Sequence, residues 1–146
     1  MRLLLILATL SILSAADRSN DDQAIKDTLT QFYDGWNAHD VEKMTAIYAV
    51  DVDHINTYGE WRKSRDAVAQ DLREGFAPSG RLSNSKKTFA IEKVRYIKPD
   101  VAVVQVRSLS KVGNIGTYVM TKTSNKWLVV SFTNVGYELK PGAGKP

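Results

Sequence analysis

From Arg81 onward the hydrophobic period of this chain changes from that of a helix to that of a strand. This switch constrains the fold more than any single motif. Before it, Ile25, Leu29, Phe32 and Trp36 recur at steps of four, three and four, which is one face of an amphipathic helix. After it come four alternating runs, at 88–97, 101–111, 115–123 and 126–137. Lys98-Pro99-Asp100, Val112-Gly113-Asn114 and Ser124-Asn125 separate them as turn signals. Strands joined by turns this short are antiparallel neighbours. Helices first and a meander afterwards make an α+β domain, with the helices available to cover one face of the sheet. A twisted sheet curling over a helix layer leaves a cavity between the two.

The helical half divides at its polar residues. Asn20 or Asp21 is expected to cap the first helix. Gly35 costs that helix stability relative to alanine and marks a close approach of another element. Asn37-Ala38-His39-Asp40 ends it, and Asp40 caps a second helix carrying Val41, Met44, Ile47 and Tyr48. The period breaks at 50–53. His54 to Tyr58 then reads as a strand, and Gly59-Glu60 as a turn leading to Trp61. Ser64 caps a third helix whose buried face is Ala67, Val68, Leu72 and Phe76, and Pro78-Ser79-Gly80 stops it. In the 88–97 run, Phe89 and Ile91 fall into register with Val94 and Tyr96 only if the strand is irregular at Glu92-Lys93.

The ends and the charge bound the rest. Arg2, the apolar run from Leu3 to Leu13 and the small residues Ser14-Ala15-Ala16 have the order of a secretory signal peptide. The expectation is export to the periplasm or beyond, with cleavage after Ala16 and no membrane attachment afterwards. The alternative is an uncleaved anchor. A single α+β domain then spans 17–140, and the Gly- and Pro-rich residues 141–146 form a tail that does not pack. The 146-residue chain has no cysteine, so stability comes from packing alone. Its net charge of +4 comes from 20 basic and 16 acidic residues that alternate along the chain. There is no basic stripe with interleaved aromatics, and no nucleic-acid partner is expected. P-loop, G-x-S-x-G and dinucleotide motifs are absent, so covalent serine hydrolysis and nucleotide or nicotinamide chemistry are not expected. The two histidines, His39 and His54, lack a metal-binding spacing. No cofactor or metal is expected.

Five blocks carry a family resemblance. They are F-Y-D-G-W-N-A-H-D at 32–40, Y-A-V-D-V-D at 48–53, Asn56 with Gly59 and Trp61, Y-I-K-P-D-V-A-V-V at 96–104, and Lys126-Trp127 with Phe132 and Asn134. Together they resemble the SnoaL-like branch of the nuclear-transport-factor-two-like superfamily, and within it the SgcJ/EcaC subgroup. The resemblance implies a cystatin-like, cone-shaped antiparallel sheet wrapped by three N-terminal helices. It also implies a pocket at the cone's mouth for a small organic ligand, and a homodimer packed through the sheet. Relatives include isomerases, dehydratases, cyclases, epoxide hydrolases and non-catalytic binding domains, so the fold leaves the activity open. Members of the subgroup often carry Gly-Arg at the start of the third helix and a His further along it. Here those positions are Ser64-Arg65 and Leu72. Position 54 is more often a large apolar residue, and here it is His54.

The candidate site residues follow from this reading. Asp53, or its neighbour Asp51, is a general-base candidate if an apolar pocket raises its pKa, and otherwise a turn residue. His54 titrates near neutrality and offers a base, an acid or a hydrogen-bond donor, or else it faces outward. Asn56 shares its side of the strand and orients a ligand or is a satisfied amide bracing the backbone, while Trp61 folds back over both. Gln105 and Arg107 continue the Val101–Val103 face toward a pocket mouth or reach solvent. Phe132 and Asn134 are expected on one face with Leu128 and Val130. Tyr33, Trp36, Tyr48, Tyr118 and Phe132 supply aromatic wall or plain core. The chemistry open to such a set is cofactor-free acid–base catalysis. A non-catalytic carrier or docking module is the alternative.

Overall fold

The computed structural model describes residues 3–109 and 113–137, with side chains from Arg18 to Gly136. The expected 141–146 tail, residues 110–112 before the third strand run and the side chains of the expected leader lie outside the described residues. The helices are α1 (Leu3–Ala38), α2 (Val41–Thr45) and α3 (Arg65–Phe76), the last of them placed after the first two strands. The strands are β1 (Tyr48–Ile55), β2 (Trp61–Arg62), β3 (Thr88–Lys98), β4 (Val101–Leu109), β5 (Gly113–Thr123) and β6 (Lys126–Tyr137). They form one curved, unclosed sheet in the order β2-β1-β6-β5-β4-β3. β3 to β6 is the expected antiparallel meander. β1 joins it parallel to β6, and β2 folds back antiparallel onto β1.

The inner face of the sheet alternates as strands must. Ala102, Val104 and Val106 on β4 and Tyr118 and Met120 on β5 are buried, while their neighbours turn outward. α1 lays Ile25, Leu29, Phe32, Tyr33 and Trp36 onto that face, and α3 adds Val68 and Leu72. β3 is irregular between Ile91 and Lys93, which keeps Ile91 opposite Val106 and Val94 opposite Val104.

Four sequence expectations are corrected. α1 runs unbroken through Asn20 and Asp21, so neither caps it. Asp21 is buried instead, and accepts hydrogen bonds from the indole N–H of Trp127 at 3.0 Å and from Lys122 at 2.8 Å. Burial raises the Asp21 pKa, but these donors, Lys122 first, outweigh it and hold the carboxyl below its usual value. α2 stops at Thr45, and Tyr48 opens β1 six residues before the expected strand start, because its ring is needed in the core of the sheet. Finally, β6 shifts register near Val130, between the pairs Met120–Val129 and Val119–Ser131. The bulge moves Leu128 and Val130 off the face of Phe132 and Asn134, and puts Trp127 and Val129 inside.

Local chemistry fixes the helix ends. Asp40 accepts from the Lys43 amide and Ser64 from the Ala67 amide, as N-caps do. His39 leaves α1 at φ +57°, the left-handed geometry of a helix C-terminus. Gly35 lies where α1 meets α2, and a Cβ there would stand 2.8 Å from Met44 Cγ and 3.0 Å from the Met44 backbone nitrogen. Gly35→Ala is expected to lower stability by about 1–3 kcal/mol despite alanine's higher helix propensity, because backbone cannot yield as a side-chain tip can. Urea unfolding of the variant measures this. A stabilised variant would show that the contact relaxes freely.

Candidate functional site

A cavity of about 60 Å³ lies between the helix layer and the sheet. Phe32 and Trp36 reach it from α1, His54 and Asn56 from the end of β1, and Phe132 and Asn134 from β6. α3 contributes Asp71 and Leu72, and the loop after it Arg81 and Leu82. A larger depression of about 470 Å³ lies between α1 and the β5–β6 turn. None of the unpartnered polar atoms discussed below belongs to residues lining it.

Each wall has a local cause. The parallel register sets His54 beside Phe132, with ring centroids 4.7 Å apart, and Tyr48 meets the imidazole edge-on at 5.7 Å. Opposite, Gly75 lets the loop return against its own helix. Leu82 covers that glycine and its amide bonds the Gly75 carbonyl at 2.8 Å. The loop is tied further to α1. Trp36 Nε1 donates to Ser85 Oγ at 3.2 Å, and both ends of the Asn37 amide bond the Lys87 backbone.

The electrostatics are uneven. Asp71 takes Arg62 at 2.7 Å on one oxygen and an Arg81 Nη at 3.0 and 2.8 Å on both. Arg62 also reaches Glu60, 3.1 Å away. His54 lies among rings and methyl groups, and burial is the main reason its pKa falls to about 4. Asp71, and then the residue's own backbone, work against that fall, while Arg62 and Lys87 add to it. At neutral pH His54 is therefore an uncharged imidazole, able to donate at one nitrogen and accept at the other. Its Nδ1 is buried without a hydrogen-bond partner, and so are Asn134 Oδ1, Tyr48 Oη and Ser108 Oγ. Such atoms cost stability unless something satisfies them. Two of these four atoms, among the described residues, belong to residues lining one cavity.

The structure sorts the candidates named from the sequence. His54, Asn56, Trp36, Phe132 and Asn134 line the cavity. Asn56 spends its amide on the β1–β2 turn: Oδ1 accepts from the amides of Tyr58 and Glu60, and Nδ2 donates to Glu60. Tyr33, Tyr48 and Tyr118 lie deeper in the core, with the Tyr33 and Tyr118 hydroxyls 3.5 Å apart. Burial raises the pKa of all three, so they stay protonated donors. Asp53 and Trp61 lie outside the cavity. They share the outer face of β1 and β2, where the indole donates to Asp53 at 2.8 Å. Asp53 is exposed, so no apolar pocket surrounds it. Gln105 and Arg107 also face outward, because the inner face of β4 belongs to Ala102, Val104, Val106 and Ser108, and Arg107 pairs with Glu92 at 2.7 Å. Sequence reasoning missed Asp71, Arg81 and Leu82. The glycines at 75 and 80 around Pro78 were the available sign of a tight return that brings residues 81–82 back to the helix. Among the described residues, no group of three His, Cys, Asp or Glu side chains comes together that could hold a metal ion.

Comparison with known proteins follows the same lines. The model of the SnoaL-like domain matches residues 29–135. A search of curated proteins found no match. Among solved structures, a domain of unknown function with a cystatin-like fold from Nostoc punctiforme is 21% identical, with 82% of this chain and 78% of that one covered at a TM-score of 0.73. A ketosteroid isomerase-like protein from Erwinia carotovora is 13% identical, with 80% and 96% covered at 0.70. An NTF2-like protein of unknown function from Shewanella baltica is 14% identical, with 82% and 95% covered at 0.65. At these identities the structures share the fold, and the matched length of the family model shows that the chain belongs to the SnoaL-like domain family.

Proposed function

We propose that this protein binds a small organic molecule in the cavity at His54 and Asn134, and that binding rather than proton abstraction is its function. The observation that carries the reading is the pair of buried, unpartnered polar atoms, His54 Nδ1 and Asn134 Oδ1, in residues lining one aromatic-walled cavity. A ligand hydroxyl satisfies both, donating to Asn134 Oδ1 and accepting from a protonated His54 Nδ1. Acid–base catalysis asks for a group whose pKa lies near the working pH. His54 at about 4 is a weak base, Asp53 is on the far face, and Asp71 is engaged by two arginines. These facts favour a carrier or sensor over an isomerase. The sequence blocks at 32–40 and 96–104 favour the SgcJ/EcaC subgroup within the family.

Export after cleavage at Ala16 is part of the same reading, supported by the apolar run and its small-residue exit. Dimerisation through the outer sheet face is supported by the exposed Trp61 and Val135 there, beside Ile55 and Ile115. Native mass spectrometry of the exported protein, exposed to extract of its own source, tests all three. The expected result is a chain starting at Asp17, a dimer, and a discrete adduct lost in Asn134→Leu. A protein that retains no adduct across such extracts would sink the binding reading.

A further inference from the structure

We propose that the ligand is a small organic carboxylate, its anionic end held at the cavity mouth by Lys87 and Arg81 and its hydroxyl end between His54 and Asn134. The inference rests on the binding reading above and names its substrate class. Its starting point is Lys87. The Asn37 amide grips the backbone of this residue from both sides, at 2.8 Å to its N–H and 2.7 Å to its carbonyl. The side chain lies over Trp36, with the ammonium 3.6 Å from the ring centroid, and Trp36 is a cavity wall. Burial and then Arg81 push the Lys87 pKa down to about 8, so it still carries its charge at pH 7.

No carboxylate among the described residues pairs with it. The carboxylates that meet Arg81 and Arg62 are already committed, Asp71 to both arginines and Glu60 to Arg62. Arg62 and Arg81 are thus matched by these two carboxylates, while Lys87 has none. A partly buried ammonium without a counter-ion is costly, and a bound anion removes that cost. Arg81 lines the cavity and reaches Asp71 through a single Nη, leaving its other N–H groups for a second acceptor. The neutral imidazole and the Asn134 carbonyl oxygen need no charge from a ligand, only a donor and an acceptor. One end of the ligand is therefore anionic and the other neutral and polar. The aromatic walls and a cavity of about 60 Å³ limit it to a few heavy atoms beyond the carboxylate.

The test is NMR titration of the full chain with 3-hydroxypropanoate and with 1,3-propanediol, its neutral counterpart, reading the His54 ring and the Asn134 amide. The hydroxy acid is expected to shift both, with half-saturation at about ten-fold lower concentration than the diol. Lys87→Met, which keeps an apolar arm over Trp36, is expected to erase that difference. Lys63→Met, which removes the same charge from the exposed side chain over Trp61, is expected to keep it. Equal response to acid and diol would overturn the carboxylate inference and leave the pocket reading standing. Silence of His54 and Asn134 toward both probes would also overturn it, while the adduct measurement judges the pocket reading separately. A preference for the acid that survives Lys87→Met would assign the anion to other groups and remove Lys87 from the site.

Discussion

Acidification from pH 6.5 to pH 4 is expected to cost this protein up to about 3 kcal/mol of stability through one residue, His54. The sign follows from where the proton goes. Burial holds the folded-state pKa at about 4, against 6.5 for a free histidine. Between those values the unfolded chain binds a proton that the folded chain refuses, so falling pH favours unfolding. Above pH 6.5 neither state is protonated and the effect disappears. Asp21 also loses stabilisation in acid, but its folded pKa lies below 3.8, so most of its loss falls below the histidine window. Urea unfolding at pH 7 and at pH 4.5, on the native chain and on His54→Phe, separates the contributions. The phenyl ring keeps the contacts to Phe132 and Tyr48 and cannot titrate. The variant is expected to lose most of the stability difference between the two pH values. An unchanged acid limb would mean that His54 is solvated in the folded state.

Trp127→Ala is expected to destabilise the fold by about 3–5 kcal/mol, the ordinary range for emptying a buried aromatic site. More than volume is at stake. Trp127 is 2% exposed, its ring meets Tyr96 edge-on at 6.0 Å, and its N–H satisfies the buried Asp21 carboxylate. Without it Asp21 keeps Lys122 but loses a donor in a place where water enters poorly. Trp127→Phe is expected to cost less, because it restores most of the volume and leaves only the hydrogen bond missing. Thermal melts of the two variants check the order. Equal losses would put the whole effect in the hydrogen bond, and no loss in either would show that the α1 contact is dispensable.

The fold was legible where the period was long and the turns were short. Phe89, Ile91, Val94 and Tyr96 even placed the irregularity in β3, since no regular strand puts all four on one side. β6 defeated the same method. A bulge near Val130 leaves no mark in an apolar run where either face reads as hydrophobic, so Leu128 and Val130 were put on the wrong side. β1 was missed at its start because Ile47 and Tyr48 fit a helix as well as a strand, and tertiary pairing with β6 decided between them. The site was half legible. His54, Phe132 and Asn134 sit on strands whose alternation the sequence states, and Trp36 on a helix face it also states. Asp71 and Arg81 come together only because the loop after α3 doubles back, and polar residues on a helix flank look the same whether or not a loop returns to them. Asp53 and Trp61 were misplaced for a related reason. The turn between them keeps both on the outer face, where they bond each other.

The parallel seam between β1 and β6 has a consequence for the order in which this molecule can be made. The two are the first and the last strands of the sheet in chain order, and the Asp21–Trp127 bond joins residues 106 apart. Local hairpins in the meander close cheaply, but β1 has no partner across that seam until nearly all of the chain is available. A chain emerging from synthesis therefore carries Tyr48 and Val52 without their sheet neighbours until the last strand arrives. Folding is a final event rather than a progressive one, and a ribosome-bound chain lacking β6 stays open to proteases and chaperones.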